Sequence, residues 1–231
     1  MSDTNLRAGS DPLDASPGAS GQDALISRLT GALRPVRRLP GPWHRTALWL
    51  CGALWMCLLL AEFADLAALR HRLMGEPDLW IAFLASTATA VLAAAAAFAT
   101  SIPGRSARWG LLPLPALAVW IGASAAGAMR TAQAPFTEAE PMMHSMECIY
   151  VIVLVAVPLS ILIMLQLLRA CPLRPGLTAA LGGLASAGAA ATALALIHPY
   201  DANVVDLVAH GVAVALVVGA NRLLGARAVD G

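Results

Sequence analysis

The chain has 231 residues, of which 58% are hydrophobic and 13% are charged, and its mean hydropathy is +0.70. Ordinary globular domains carry about 45–50% apolar and about 25% charged residues, so this composition excludes most soluble folds. The net charge of +1 argues against a nucleic-acid-binding surface over the whole chain. The composition therefore predicts an integral membrane protein.

Residues 1–21 are rich in Ser, Gly, Pro and Asp, which predicts a disordered tail. From residue 22 the pattern changes, because apolar side chains recur at helical spacing and define one face: Leu25, Ile26, Leu29 and Leu33. This spacing predicts a short amphipathic helix that ends before Pro35. About 12 residues of helix are marginally stable alone in water, so the helix needs a partner surface.

The segment from Arg34 to Arg45 reads RPVRRLPGPWHR and comes directly before the first long apolar run. Its four arginines are typical of the cytoplasmic flank of a transmembrane helix, with Trp43 at the level of the lipid headgroups.

Six apolar stretches of about 18–22 residues follow, and each is long enough to cross a hydrocarbon core about 30 Å thick. They cover about residues 47–64, 79–100, 109–129, 147–168, 177–197 and 204–223. The prediction is an all-α fold: a polytopic bundle of six transmembrane helices over residues 46–225, preceded by the short cytoplasmic amphipathic helix and followed by a tail of residues 226–231. In the fifth stretch, small residues recur four apart, which predicts a helix at the centre of the bundle. They are Gly182, Ser186 and Ala190, with Gly183 and Ala187.

The distribution of arginine predicts the orientation. The N-terminal region, the 101–108 and 169–175 loops and the C-terminal tail hold twelve of the fifteen arginines, and the alternate loops hold three. Basic residues in short loops accumulate on the cytoplasmic side. Both termini are therefore predicted to be cytoplasmic.

Two groups of polar residues could carry chemistry. In the sixth stretch Asp206 and His210 are four residues apart and share a helix face, which leaves open a proton relay in a small transporter or channel, or a structural contact inside the bundle. The outer loop before the fourth stretch reads EPMMHSMEC and contains His144, Met146 and Cys148. Thioether, imidazole and thiolate groups suit soft metal ions, whereas the alternative is a chance enrichment of methionine.

The chain resembles the NrsF-type anti-sigma factors, which are bacterial inner-membrane proteins. The resemblance covers about residues 22–225 and rests on LRPVRRLPGPWHRTALWL, six spans, a cysteine at the head of span four, CPLRP after it, and an HP…D…H segment near the end. It implies a regulator and not an enzyme. Residues 22–45, through the four apolar residues with Arg37 and Arg38, would hold an extracytoplasmic-function sigma factor until oxidative or heavy-metal stress releases it.

The resemblance also implies two external sensor cysteines. Cys148 matches the first, but the second is absent, since the chain reads Ile197-His198-Pro199. This departure suggests that Cys148 acts as a metal ligand or a singly modified thiol, with His144, His198 and Met146 as further ligands of a transient soft metal. No permanent cofactor and no direct nucleic-acid partner are expected; the partners are the sigma factor and the lipid membrane, and a homo-oligomer is left open.

Overall fold

The computed structural model of the chain describes residues 17–31, 33, 39–62, 64–75, 77–132, 141–197 and 204–230. Within these ranges all regular secondary structure is helical. The helices are α1 (Pro17–Gly31), α2 (Pro42–Ala61), α3 (Leu66–Gly75), α4 (Pro77–Thr100), a 3₁₀ helix (Ala107–Leu111), α5 (Leu114–Ala132), α6 (Pro141–Leu168), α7 (Pro175–Ile197) and α8 (Val204–Asp230). The chain divides into two units, residues 1–38 with α1 and residues 39–231 with the remaining helices.

Six helical segments of the second unit are long and apolar enough to cross a membrane. They are Pro42–Ala61, Pro77–Thr100, Ala107–Arg130, Ile149–Leu168, Pro175–Ile197 and Leu207–Arg227. The predicted all-α class and the six predicted spans are thereby confirmed, with ends that differ by a few residues. Proline is the first residue of α2, α4, α6 and α7, where its missing N–H would have no partner within the helix.

The N-terminal helix differs from its predicted limits. It begins at Pro17, so it includes residues 17–21 that composition assigned to the tail, and it ends at Gly31. Proline is favourable at the first helical position because its φ angle is already helical. Glycine costs about 1 kcal/mol relative to alanine inside a helix, which favours termination at Gly31 before Pro35 is reached.

Two local features of the membrane unit lie outside the pattern of six apolar spans. Helix α3 lies between the first and second predicted spans, and Asp65 caps its start, because its carboxylate accepts a hydrogen bond of 3.0 Å from the N–H of Ala67. The third span consists of the 3₁₀ helix followed by α5. Pro113 lies between the two, and because it has no N–H it interrupts the backbone hydrogen bonding.

Helix α7 lies at the centre of the bundle, as its small residues predicted. It packs against α4, α6, α8 and α2, and most of its residues are buried. Close approach depends on glycine: a Cβ atom at Gly188 would lie 3.1 Å from the backbone of α4, and one at Gly183 would lie 2.8 Å from the Cα of Val218 in α8. Helix packing by small residues is typical of membrane bundles.

Gly183→Ala is expected to lower the temperature at which the protein unfolds in detergent, because the added methyl group would clash with the backbone of α8. Overpacking of this kind costs about 1–3 kcal/mol, which exceeds the roughly 1 kcal/mol that alanine gains in helix propensity. Gly219→Ala is the matched control, since a Cβ there meets nothing within 4 Å and should leave the unfolding temperature unchanged or raise it. Equal shifts for both variants would contradict the packing of α7 against α8.

Candidate functional site

The apolar face of α1 is exposed. Leu25, Ile26 and Leu29 are 54%, 56% and 60% exposed, and Leu33, just beyond the helix end, is 73% exposed. Its backbone N–H donates to Thr30 O, which continues the helical turn to this residue. A contiguous set of large apolar side chains on an exposed helix is typical of a protein or membrane interaction surface. Arg37 and Arg38, predicted to belong to the same surface, lie outside the described residues.

The second notable feature is a buried arginine in the first turn of α2. Arg45 is 6% exposed. Its Nη1 donates to Ser101 Oγ at 3.2 Å, its Nη2 donates to the carbonyl oxygen of Gln166, and its guanidinium carbon lies 4.7 Å from the centre of the Phe98 ring. The side chain thus joins three helices: α2, which carries it, α4 and α6.

The location of these partners explains how a cation is accommodated there. Ser101 directly follows the last residue of α4, and Gln166 lies in the last turn of α6. Carbonyl groups at a helix C-terminus have no partner within the helix and carry the negative end of the helix dipole. The aromatic face of Phe98 adds a cation–π interaction. The ends of two helices and an aromatic ring therefore stabilise the charge of Arg45.

One turn further along α2, Trp49 makes a second bond to α6. Its side chain is fully buried, and its Nε1–H donates to the carbonyl oxygen of Leu159 at 3.1 Å. Arg45 and Trp49 together attach the beginning of α2 to the second half of α6. We refer to these two side chains, with the carbonyl groups of Leu159 and Gln166, as the α2–α6 junction.

Aromatic and basic side chains surround the same end of the bundle. Trp43 is 58% exposed and packs edge-on against Trp109, with ring centres 6.3 Å apart. The guanidinium of Arg105 lies 5.4 Å from the centre of the Trp109 ring. Exposed tryptophans beside arginines are typical of the interface between membrane and water.

The predicted sensor residues lie at the start of α6. Because this helix begins at Pro141, the MMHSMEC stretch is helical, and His144 and Cys148 are one turn apart on one helix face. The structure describes the backbone of residues 141–148 but not their side chains, and His198 lies outside the described residues. Among the side chains that are described, no three His, Cys, Asp or Glu residues form a metal site, and Cys51, Cys57 and Cys171 are free thiols.

A polar pair lies at the opposite end of the membrane unit from Arg45. Arg130 Nη2 lies 3.1 Å from Asp78 Oδ2, in a salt bridge between the end of α5 and the start of α4. His210, on α8, and both residues of this pair line one groove of the membrane unit, whereas the side chain of Asp206 is not among those described.

Sequence reasoning did not find either Arg45 or the Asp78–Arg130 pair as a contact. Arg45 was grouped with the flanking arginines, although its position inside the first turn of an apolar helix distinguishes it from them. The Asp78–Arg130 pair had a weaker signal: Asp78 lies just before the second predicted span and Arg130 just after the third, so both are expected at the same membrane surface.

A family model described as NrsF, negative regulator of sigma F, matches residues 29–230. The chain belongs to the NrsF family. The NrsF match includes Leu29 and Leu33, the α2–α6 junction and all six apolar spans. The family description supports negative regulation of a sigma factor, a role that is regulatory and not enzymatic. No curated protein and no solved structure matches the chain significantly.

Proposed function

We propose that this protein is a membrane-bound anti-sigma factor. Its cytoplasmic N-terminal segment, residues 22–45, holds an extracytoplasmic-function sigma factor and releases it on oxidative or heavy-metal stress. The observation that carries the proposal is the exposed apolar face of α1, in a chain whose family is described as a negative regulator of sigma F.

The binding mode is that of an amphipathic helix in an apolar groove of its partner. Leu25, Ile26 and Leu29 supply the apolar contacts along α1, and Leu33 extends them past its end. Arg37 and Arg38 follow in the sequence and add positive charge to the segment. Substitution of the apolar face, with the membrane unit left unchanged, tests the proposal, because only the loss of sequestration then raises sigma-dependent transcription.

The proposed location is the bacterial inner membrane, with both termini in the cytoplasm. The support is the distribution of arginine, twelve of fifteen on one side of the six spans. In this orientation α1 and the α2–α6 junction belong to the cytoplasmic side, where a sigma factor is found. Cys148 and the Asp78–Arg130 pair belong to the outer side.

The sensor in this proposal is Cys148, with His144, Met146 and His198 as further ligands when the signal is a soft metal ion. Thiolate, thioether and imidazole groups together favour soft or borderline divalent ions. Peroxide acts on the same thiolate by oxidising it to a sulfenic acid, a step that needs no second cysteine.

Helix α6 connects the sensor to the partner-binding segment. Cys148 and Gln166 are eighteen residues apart on this helix, which corresponds to about 27 Å. A displacement of α6 at its outer end would pass Pro158, where one helix hydrogen bond is missing, and reach Leu159 and Gln166, whose carbonyl groups hold Trp49 and Arg45. Since residues 22–41 directly precede α2 in the sequence, this junction offers a route from the outer surface to the partner-binding segment.

Cys148→Ser is expected to abolish induction of a sigma-dependent reporter by cadmium, copper and peroxide. His144→Ala and His198→Ala are expected to lose the metal response only, because oxidation of the thiolate requires no imidazole. Cys171→Ser is the matched control, since this exposed thiol lies just beyond the other end of α6. Unchanged induction in the Cys148→Ser strain would show that the sensor lies elsewhere.

A further inference from the structure

A groove of about 770 Å³ runs along the membrane unit between α5 and α8, with α7 beneath it and the start of α4 at its side. Pockets that hold small molecules typically have about 300–1,000 Å³. Its walls are mostly apolar, although Ser86, Ser124 and His210 also line it, and on α7 its lining residues follow one helix face from Leu177 to Ala195.

The groove exists because of the small side chains of α7 and the position of α5. Ala180, Ala187 and Ala191 line it on α7 and leave the space in front of that helix unfilled. Among the described elements, α5 packs mainly on α4 and touches α8, whereas the main neighbours of α7 are α4, α8, α6 and α2. An apolar space open to the membrane loses van der Waals contacts unless hydrocarbon fills it.

One end of the groove is charged. Asp78 and Arg130 both line it, 3.1 Å apart, with their side chains 17% and 37% exposed. Asp78 is the second residue of α4, where the helix dipole favours an anion. Arg130 lies in the last turn of α5, which places both charges at the membrane surface end of their helices.

We propose that this groove binds one membrane phospholipid whose headgroup carries both a phosphate and a primary ammonium group, as in phosphatidylethanolamine. An acyl chain lies against α7, the phosphate accepts hydrogen bonds from Arg130, and the ammonium donates to Asp78. A guanidinium has five N–H donors and a carboxylate has several acceptor sites, so both bonds are compatible with the salt bridge between the two side chains. The four charges then alternate in sign.

Charge complementarity selects this headgroup over the alternatives. A choline headgroup has the same net charge but no N–H, so it cannot donate to Asp78. A glycerol headgroup has no cation, so it has no group that pairs with Asp78, and its net negative charge would lie beside that carboxylate. The site is therefore expected to distinguish lipids by headgroup at equal chain length, which a groove selecting only for hydrocarbon would not do.

The experiment is native mass spectrometry of the purified full-length protein in detergent, titrated with phosphatidylethanolamine, phosphatidylcholine and phosphatidylglycerol of identical acyl chains. The expected result for the wild-type protein is at least tenfold tighter binding of phosphatidylethanolamine. Equal affinities for the three lipids would overturn the proposal, and this comparison needs no variant.

Variants then locate the site. Asp78→Asn should remove the preference over phosphatidylcholine, and Arg130→Gln should weaken binding of all three lipids. Ala191→Phe, which narrows the groove, should weaken binding without changing the order of affinities. Arg105→Gln, at the other end of the bundle, should leave binding unchanged. A preference that persists in Asp78→Asn would also overturn the proposal.

Discussion

Leu29→Asp is expected to release sigma-dependent transcription in unstressed cells while the protein accumulates normally in the membrane. Leu29 lies in the middle of the exposed apolar face of α1 and is 60% exposed, so its replacement disturbs no packing within the described structure. In a groove on the partner, however, the same side chain would be buried. An aspartate there would place an unpaired carboxylate in an apolar contact.

The expected size of the effect follows from interface energetics. Truncation of a central apolar anchor costs about 2–4 kcal/mol at typical interaction hot spots. At 1.4 kcal/mol for each factor of ten, the affinity for the sigma factor falls by about 30- to 700-fold. The measurement is transcription from a sigma-dependent promoter, together with the amount of regulator in the membrane fraction.

Ser27→Asp is the matched control for this experiment. It introduces the same charge into the same helix two residues away, on the face opposite Leu29, where the side chain is also exposed. Repression should therefore persist. If Leu29→Asp protein accumulates at the wild-type level and still represses, the apolar face of α1 does not hold the sigma factor.

The membrane architecture was predictable because it depends on a signal that each segment carries alone. A span needs about 20 apolar residues, and six such stretches could be counted along the chain. The central position of α7 was predictable for a similar reason, since Gly183 and Ala187 belong to a stripe of small residues, which allows a neighbouring helix to approach closely.

Helix α3 was not predicted because it is short and lies between two apolar spans. In its sequence, LAALRHRLMG, only Leu66, Leu69 and Leu73 follow helical spacing, and the cap at Asp65 marks its start. The break in the third span was partly predictable, because Pro113 lies within the apolar run and cannot donate a backbone hydrogen bond. The 3₁₀ conformation of residues 107–111 could not be predicted from the spacing of apolar residues.

The α2–α6 junction could not be predicted from the sequence. Arg45 is 56 residues from Ser101 and 121 residues from Gln166, and its environment exists only where the ends of two helices converge. From the sequence it was one of several arginines before an apolar run. In contrast, the apolar face of α1 depends only on the spacing of residues within one short segment, so it can be recognised from the sequence alone.

Arg45→Met is expected to destabilise the membrane unit strongly. The substitution keeps an unbranched side chain of similar length but removes both hydrogen bonds and the cation–π contact with Phe98. Hydrogen bonds made by charged groups contribute about 1.5–3 kcal/mol each. Even with partial compensation by apolar packing, a loss of about 3 kcal/mol would lower the unfolding temperature by roughly 6–12 °C in a domain of this size.

Arg105→Met is the control, because Arg105 also contacts an aromatic ring but is exposed, and exposed charges contribute little to stability. Thermal unfolding of the purified proteins in detergent measures the difference between the two variants. If the unfolding temperature of Arg45→Met stays within about 2 °C of the wild-type value, the contacts assigned to the guanidinium are contradicted.

The same variant separates a structural anchor from a relay. If Arg45 only stabilises the bundle, Arg45→Met protein that reaches the membrane still represses and still responds to cadmium through Cys148. If the α2–α6 junction transmits the signal, that protein represses in unstressed cells but fails to release the sigma factor when cadmium is added.

Trp49→Phe gives the independent comparison, because it removes the bond to Leu159 while keeping the aromatic packing. A relay predicts that Trp49→Phe weakens the response in the same direction, since both side chains bind the one helix that carries Cys148.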